Sequence, residues 1–293
     1  MSNYIKQNFK NGDILTAEHL NYIEDGIVDN ILGAGFAGKT VSFLADSITT
    51  FNGWIPSGYA CWYTGSNATN SGIDDVNKTW WKQVLNALNM KLCVNAAWSG
   101  SVAYGDSTST TNAFAACSTA RISDLTVKSG VASDCPVGTK PDIIIVFIGI
   151  NDFGSHNKKV GTWDMKTLPA EGNHSTFDTA YALCIKKLMD AYPNAEIFCC
   201  TLLETTMSGN YDDTAGWPTD SSVGMVLNDY NKKIREIANL FGVNIIDLHA
   251  CGINYFNCSK FCVDKLHPNI EGAKKIANKV ITELCAKSIY SIN

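Results

Sequence analysis

Short apolar runs alternate with amphipathic segments along the chain from about residue 39 onward. Five of the runs have the length of a strand: 41–45, 92–95, 141–148, 196–202 and 243–248. The run at 141–148 holds an uninterrupted β-branched stretch, as a strand covered on both faces requires. Strands that alternate with helices form parallel sheets with crossover helices on both faces. The predicted fold is therefore α/β, a three-layer α/β/α sandwich with a parallel sheet.

The amphipathic segments between these runs predict the helices. Their apolar residues recur three and four positions apart, as on one helical face: Trp80, Trp81, Val84 and Leu88; Phe177, Tyr181, Cys184 and Leu188; Val226, Tyr230, Ile234, Ile237 and Phe241; Ala273, Ile276, Val280 and Leu284. Ser175 and Asp178 form a capping box before the second helix, and Gly242 ends the third. The small polar residues of 101–138 predict loops with one helix around 113–125.

Residues 1–38 differ from this pattern and predict a separate N-terminal arm. A helix is expected over 16–32, with Thr16 as its N-cap. Its apolar positions form a narrow stripe, namely Leu20, Ile23, Ile27 and Ile31. Such a stripe fits a seam against a partner helix, and the alternative is an arm that packs on its own domain. The glycines of 33–38 form a flexible junction, so the predicted division is an arm at 1–38 and one domain at 39–293.

Composition and charge narrow the classes of protein that this chain can belong to. Apolar residues make up 45% and charged residues 17% of the chain, which excludes a disordered protein. The net charge is −5 and no basic run occurs, so we expect no nucleic-acid partner. The longest apolar runs are far shorter than the roughly 20 residues that cross a bilayer, so no membrane insertion is predicted. The first residues lack an apolar signal-peptide core. We therefore expect a soluble protein, made in the cytoplasm, whose mature form begins at Met1.

The chain has eleven cysteines, an odd number. Several lie inside apolar runs, where cysteine behaves as a small hydrophobic residue. We therefore expect mostly reduced core thiols, with a few disulfides as the alternative. The tightest cluster of metal-ligand types is His249, Cys251, Cys258 and Cys262. Its spacing lacks the C-x2-C pair of structural zinc sites, so we predict no metal.

Residues 33–40, with the sequence GAGFAGKT, match two nucleotide-binding patterns at once. Both the P-loop and the dinucleotide turn need a strand before the glycines and a helix after them. Here the predicted helix precedes the glycines and the predicted strand follows them. Nucleotide binding is therefore disfavoured, and affinity for ATP or NAD that is lost in Lys39→Ala would revive it.

Four short segments carry the residue types of one reaction. Phe43–Thr50, Asn95–Gly100 and Ile148–Asp152 each lie at or just after the end of a predicted strand. The carboxyl ends of parallel strands meet at one edge of the sheet, which is where open α/β sheets place their sites. The fourth segment, Val263–Asn269, precedes the last helix and must fold back to meet the other three.

Together these segments resemble the SGNH, or GDSL-type, hydrolase family, whose four blocks contribute Ser, Gly, Asn and His in this order. The resemblance covers about residues 39–288 and implies a flavodoxin-like sheet and a serine esterase without a cofactor. It assigns Ser47 as the nucleophile, His267 as its general base and Asp264 as the residue that orients the histidine. The oxyanion hole would be the backbone N–H groups of Ser47 and Gly100 with the side-chain amide of Asn151.

The serine block departs from the family pattern at one position. The family's Gly-Asp-Ser is Ala45-Asp46-Ser47 in this chain. The added methyl group of Ala45 is expected to strain the turn slightly and to leave the nucleophile in place. Asp46 is expected to fix the turn rather than to contact substrate.

The segment 11–27 is similar to a short stretch of bacteriophage and prophage tail and baseplate proteins. That resemblance implies an arm that attaches the protein to a virion or trimerises it, and an enzyme that removes acetyl groups from host polysaccharide. Four tryptophans in predicted loops are candidates for stacking on sugar rings or for anchoring the loops: Trp54, Trp62, Trp98 and Trp217. The alternatives are a lipolytic or broad short-chain acyl esterase, and a catalytically silent tail protein that binds glycans.

Overall fold

The computed structural model describes residues 35–154, 156, 158–204 and 225–290, together with 10, 13–14, 16–20, 211–212 and 217–220. The strands of the described residues are β1 (Thr40–Ala45), β2 (Lys91–Ala97), β3 (Gly105–Asp106), β4 (Ile143–Phe147), β5 (Asn173–His174), β6 (Glu196–Cys200), β7 (Tyr211–Asp212), β8 (Trp217–Asp220), β9 (Met225–Val226) and β10 (Asn244–Ile246). Five of them form one sheet in the order β10-β6-β4-β1-β2, and every pairing in that sheet is parallel. This is the flavodoxin-like order of a doubly wound sheet.

The helices form the two outer layers. They are α1 (Gly65–Ser71), α2 (Trp80–Ala87), α3 (Thr119–Ser123), α4 (Ile150–Gly154), α5 (Phe177–Ala191), α6 (Leu227–Phe241), α7 (Cys258–Phe261) and α8 (Ile270–Tyr290). Helix α2 packs on α8, whereas α5 packs on α3 and α6. In a parallel sheet of this order, the right-handed crossovers that such sheets favour deliver helices to opposite faces on the two sides of the first strand. The predicted three-layer α/β/α sandwich is confirmed.

The central strands have no polar face because both faces are covered. All five residues of β4 are buried, and β1 is buried from its second residue to its last. The five predicted strands of the sheet are all present, although most are shorter than their apolar runs. The predicted helix around 113–125 is only the five-residue α3.

The start of α5 differs from the predicted capping box. The N-cap is Thr176 rather than Ser175, and its side chain makes no capping hydrogen bond. The Asp178 carboxylate is engaged elsewhere, because it accepts hydrogen bonds from the Trp163 N–H at 2.7 Å and from the Thr176 hydroxyl at 2.7 Å. A tertiary contact to the 161–163 loop has therefore replaced the local cap.

The structure also bears on the expectations about the glycines of 33–38, the cysteines and membrane insertion. Residues 35–38 form a turn and Thr40 starts β1, so no helix follows the glycines of 33–38, as a nucleotide site would require. All eleven cysteines are free thiols, and nine of them are buried. Among the helices of the described residues, none combines the length and apolar character needed to cross a bilayer.

The N-terminal arm lies largely outside the described residues. Residues 17–20 are helical, within the predicted helix of 16–32, and the rest of its apolar stripe is not described. Trp217 was predicted to lie in a loop, and this is wrong, because it begins β8. Its backbone pairs with Asp212 of β7, a pairing that no local pattern signals.

Candidate active site

Three of the four predicted segments meet at the carboxyl edge of the sheet. Ser47 opens a short 3-10 turn directly after β1, Gly100 follows β2, and Asn151 lies in the first turn of α4 after β4. Strand β1 pairs with β2 on one side and with β4 on the other. Its last residue, Ala45, pairs with Ala97 and Phe147, the last residues of those two strands. The topology therefore places the three residues on neighbouring strand ends.

The fourth segment closes over this edge and brings three side chains into one hydrogen-bonded line. The Ser47 Oγ lies 2.8 Å from the Nε2 of His267. The Nδ1 of His267 lies 2.8 Å from the Oδ2 of Asp264. Burial raises the pKa of the Asp264 carboxyl, but hydrogen bonds from the side chain and main chain of His267 outweigh it and lower the pKa overall. The ionised carboxylate accepts the proton of Nδ1, so Nε2 accepts the hydrogen bond of the Ser47 hydroxyl.

A tight turn makes the three-residue spacing between Asp264 and His267 sufficient. The Oδ1 of Asp264 accepts the backbone N–H groups of His267 at 2.8 Å and Leu266 at 3.3 Å. The Val263 N–H donates to the His267 carbonyl at 2.8 Å and closes the turn. Lys265 has a φ of 70°, in the left-handed region that side chains rarely adopt. The turn therefore holds local backbone strain at the point where it aims the imidazole.

Gly100 and Asn151 follow the two strands that pair with β1, the strand that leads to Ser47. Gly100 has a φ of 82°, and a Cβ added there would meet no atom within 4 Å. Glycine is required by the backbone conformation rather than by crowding, and the main chain is open on that side. The Nδ2 of Asn151 donates to the Ser101 carbonyl at 2.9 Å, which fixes the orientation of the amide.

Two buried carboxyl groups, those of Asp46 and Asp152, accept hydrogen bonds from the backbone of the loops that carry Ser47 and Gly100. The Oδ1 of Asp46 accepts the Ile48 N–H at 3.1 Å and so fixes the Ser47 turn, as the sequence predicted. Asp152 accepts the N–H groups of Ala103 and Tyr104, which belong to the loop after Gly100. Burial raises the pKa of each carboxyl group from 3.8 to about 7.

The expected strain at Ala45 is absent. Ala45 is the last residue of β1 and pairs with both neighbouring strands, so its backbone is extended and needs no glycine. Its side chain is buried in the core. The alanine that replaces the family's glycine is therefore a strand residue and does not lie in the turn of Ser47–Thr49.

The tryptophans predicted to stack on sugars have different surroundings. The Trp62 ring stacks on the His267 imidazole at 3.9 Å with an interplanar angle of 12°. The Trp98 ring packs on Tyr59, with ring centroids 4.3 Å apart, and meets Phe114 edge-on. The Trp54 ring packs against Trp81 and lies under the Lys82 ammonium, so it is a loop anchor. The side chain of Trp217 lies outside the described residues.

Arg121 was not among the residues that the sequence predicted to belong to the site. The residue is completely buried in α3, and its guanidinium donates to main-chain carbonyls next to the site. It is one of two arginines in the chain and follows Ser118, the N-cap of α3. One of only two arginines, placed within the predicted helix of 113–125, was the available signal, but its hydrogen-bond partners could not be read from local spacing.

Metal ligation has no support in the described part of the chain. No group of three or more His, Cys, Asp or Glu side chains lies close enough there to hold an ion. Cys258 donates to the Lys265 carbonyl at 3.2 Å, which ties α7 to the turn that bears His267. The thiols of this cluster are thus part of the packing around the turn.

Comparison with known proteins points to one family and one fold. The profile of the GDSL-like lipase/acylhydrolase family matches residues 39–216. A search of curated protein sequences gave no match. A GDSL-like lipase from Bacteroides ovatus is 23% identical over 84% of this chain and 97% of its own, with a TM-score of 0.58.

Two further solved structures extend this comparison. A protein from Lactobacillus plantarum is 20% identical over 85% of this chain and 98% of its own, with a TM-score of 0.58. A family two carbohydrate esterase from Clostridium thermocellum, solved with cellohexaose, is 19% identical over 86% of this chain and 65% of its own, with a TM-score of 0.51. At these identities the likeness shows a shared fold.

Proposed function

The chain belongs to the GDSL-like lipase/acylhydrolase family, and from this membership we propose that it is a serine esterase that hydrolyses carboxylic esters. The observation that carries the proposal is the line of hydrogen bonds from Ser47 through His267 to Asp264, with both links at 2.8 Å. A weak nucleophile, a base in contact with it and a third group that orients the base are what acyl transfer from an ester needs.

In the proposed mechanism, the Ser47 oxygen attacks the ester carbonyl while the His267 Nε2 takes its proton. The imidazolium then gives that proton to the leaving alcohol, which produces an acyl-enzyme on Ser47. Water then attacks the acyl group while His267 takes one of its protons. The bond to Ser47 breaks, the Ser47 oxygen receives that proton from His267, and the carboxylic acid leaves. Asp264 stabilises the imidazolium and holds the tautomer that keeps Nε2 free to accept a proton.

The tetrahedral intermediates need donors for the negative charge on the former carbonyl oxygen. We assign this role to the backbone N–H groups of Ser47 and Gly100 and to the Asn151 amide. The Ser101 carbonyl already holds the amide in place, so little reorganisation is needed when charge develops. Donors that are fixed before the reaction stabilise the transition state more than the bound ester.

The proposed substrate is an O-acetylated carbohydrate. Two partly exposed aromatic rings belong to the segments around the site: Trp62 stacks on His267, and Trp98 lies two residues before Gly100. Such rings bind the apolar faces of sugars. The carbohydrate esterase structure that contains cellohexaose supports this choice as a protein of similar fold.

The first experiment is hydrolysis of p-nitrophenyl acetate, butyrate and octanoate by the wild type and by Ser47→Ala. We expect activity confined to acetate and abolished in the variant, whose fold is retained. Ser133→Ala is the matched control, because its hydroxyl contacts the Leu92 carbonyl near the start of β2, at the opposite edge of the sheet. A folded, active Ser47→Ala protein would refute the mechanism.

The same experiment separates the alternatives. Rates that rise with acyl chain length would favour a lipolytic enzyme over a deacetylase. No turnover of any ester by the wild type, combined with glycan binding by an intact oligomer, would favour a silent binding protein. Release of acetate from an acetylated polysaccharide would support the carbohydrate assignment directly.

For residues 1–38 we propose an oligomerisation arm, attached to a hydrolase domain at 39–293, that trimerises the protein on a virion. The support is the narrow apolar stripe of Leu20, Ile23, Ile27 and Ile31. Replacing Ile23 and Ile27 by aspartate should lower the mass measured by light scattering to that of one chain and leave hydrolysis per site unchanged. A wild-type protein with the mass of one chain would contradict the proposal.

A further inference from the structure

Arg121 is a buried cation whose described hydrogen bonds all end on uncharged groups. Its side chain is completely inaccessible. The four hydrogen bonds described for its guanidinium end on the carbonyls of Ala45, Ala96 and Ala113 and on the hydroxyl of Ser101. Burying a charge is costly unless its hydrogen bonds are satisfied. The oxygens that Arg121 gathers are therefore held firmly in place.

Two of these oxygens belong to the strand ends that carry the site. The Ala45 carbonyl, which accepts Nη2 at 2.6 Å, ends β1 two residues before Ser47. The Ala96 carbonyl, which accepts Nε at 3.0 Å, lies near the end of β2, four residues before Gly100. One planar guanidinium thus joins the strand of the nucleophile to the strand of the oxyanion loop.

The network continues from Arg121 to the third donor of the site. Nη2 also donates to the Ser101 hydroxyl at 3.3 Å. The carbonyl of the same serine accepts the Asn151 amide at 2.9 Å. The Tyr59 ring covers the guanidinium at 5.2 Å. A single side chain therefore connects, directly or through Ser101, to the segments that bear Ser47, Gly100 and Asn151.

We propose that Arg121 is a positioning residue that sets the spacing between the Ser47 turn and the oxyanion loop of Gly100 and Asn151. This inference rests on the proposed esterase function. Because the loop donors act on the transition state, a change in their spacing should lower kcat and leave KM nearly unchanged. The forked donors of arginine are needed for this, since a lysine ammonium cannot reach three carbonyls in one plane.

The test compares Arg121→Lys with a control in the same helix. In Arg121→Lys we expect kcat for p-nitrophenyl acetate to fall about 100-fold, with KM within about twofold of the wild type. Ser118→Ala is the control, because the Ser118 hydroxyl accepts the Arg121 backbone N–H and caps α3 without touching the guanidinium. It should lower the melting temperature and leave kcat unchanged. Equal kcat losses in the two variants would overturn the proposal.

Hydrogen–deuterium exchange gives a readout that does not depend on turnover. In Arg121→Lys, peptides covering 45–49 and 96–101 should exchange about tenfold faster while the rest of the sheet is unchanged. Unchanged exchange in these peptides would overturn the inference whether or not the protein hydrolyses esters. If the wild type is inactive and these peptides still lose protection, the proposed function fails and the positioning role stands.

A milder variant covers the case in which Arg121→Lys does not fold. Ser101→Ala removes one acceptor of Nη2 and keeps the Ser101 carbonyl that holds Asn151. We expect kcat to fall about tenfold, the lower end of the effect of one hydrogen bond from a charged donor, because this bond is long at 3.3 Å. Faster exchange of 96–101 should accompany it. Wild-type kcat and exchange in Ser101→Ala would count against the network.

Discussion

Replacing Asp264 by asparagine tests the row of hydrogen bonds from Ser47 through His267 to Asp264, because Asp264 is its last residue. The Oδ1 of Asp264 accepts two backbone N–H groups of the turn, and the Oδ2 accepts the Nδ1 proton of His267 at 2.8 Å. Asparagine can keep the first two contacts through its own Oδ1. Its Nδ2, however, is a donor and faces Nδ1, so the imidazole proton moves to Nε2 and points at the Ser47 oxygen. A protonated Nε2 cannot accept the serine proton.

The expected loss is large in rate and small in stability. The wrong tautomer should lower kcat about 10⁴-fold, which corresponds to roughly 5 kcal/mol of activation free energy. Because the backbone contacts remain, the free energy of unfolding should change by less than about 1 kcal/mol. Asp264→Ala should lose both activity and stability, since the turn then lacks its acceptor. The change in kcat is to be measured with p-nitrophenyl acetate, and the change in stability by urea unfolding.

The measurement on Asp264→Asn tests the tautomer argument because the expected loss of kcat is large while the expected loss of stability is small. Asp190→Asn is the control, as Asp190 lies exposed at the end of α5 and contacts only Lys186 among the described ion pairs. If Asp264→Asn keeps kcat within a factor of about 10 of the wild type, the tautomer argument is refuted. A large loss of stability in Asp264→Asn would instead show that the carboxylate charge supports the turn.

The side-chain amide of Asn151, the Trp62 ring stacked on His267 and the buried carboxyl groups each give a further prediction. Asn151→Ala should lower kcat about 100-fold or more with little change in KM, and steady-state kinetics that show a raised KM instead would contradict its role. Trp62→Leu removes the ring stacked on His267 and should lower kcat/KM about tenfold by destabilising the imidazolium, whereas Trp62→Phe should recover most of the activity. The raised pKa of Asp46 and Asp152, about 7 against 3.8 when exposed, means that the folded protein retains protons that the unfolded chain releases. The contribution of these two groups to stability is therefore greatest below pH 4 and is lost as pH rises through 7, by about 3 kcal/mol for Asp46 between pH 5 and pH 8, so urea unfolding of Asp46→Asn should depend less on pH. Equal slopes for the variant and the wild type would contradict this assignment.

Much of the fold was predictable because its signals are local. A strand buried on both faces needs a continuous apolar run, and a surface helix needs apolar residues three and four apart. Both signals were present for β4 and α6, and both elements were found. The cap of α5 was wrong because Asp178 binds a distant loop, and β7, β8 and β9 were missed because such short strands carry little pattern.

The residues proposed for the chemistry of the site could be identified from the sequence. The residues that hold them in position could not. The order of the blocks singled out Ser47, Gly100, Asn151, Asp264 and His267, and their catalytic roles remain predictions. The stack of Trp62 on His267 was not foreseen, because an aromatic residue in a loop suggests several partners equally well. Arg121 was missed because a lone arginine does not reveal which carbonyls it will meet.

The sequence by itself therefore determined the class of fold, the strand ends that carry polar groups and the family whose chemistry those groups match. Each of these depends on residue type and on spacing within one segment. The tertiary structure decided how Ser47 meets His267 across 220 residues, and how Arg121 links the ends of two strands. Such contacts depend on the pairing of the sheet and on the path of the loops, because residues far apart in the chain become neighbours only when the whole core has packed.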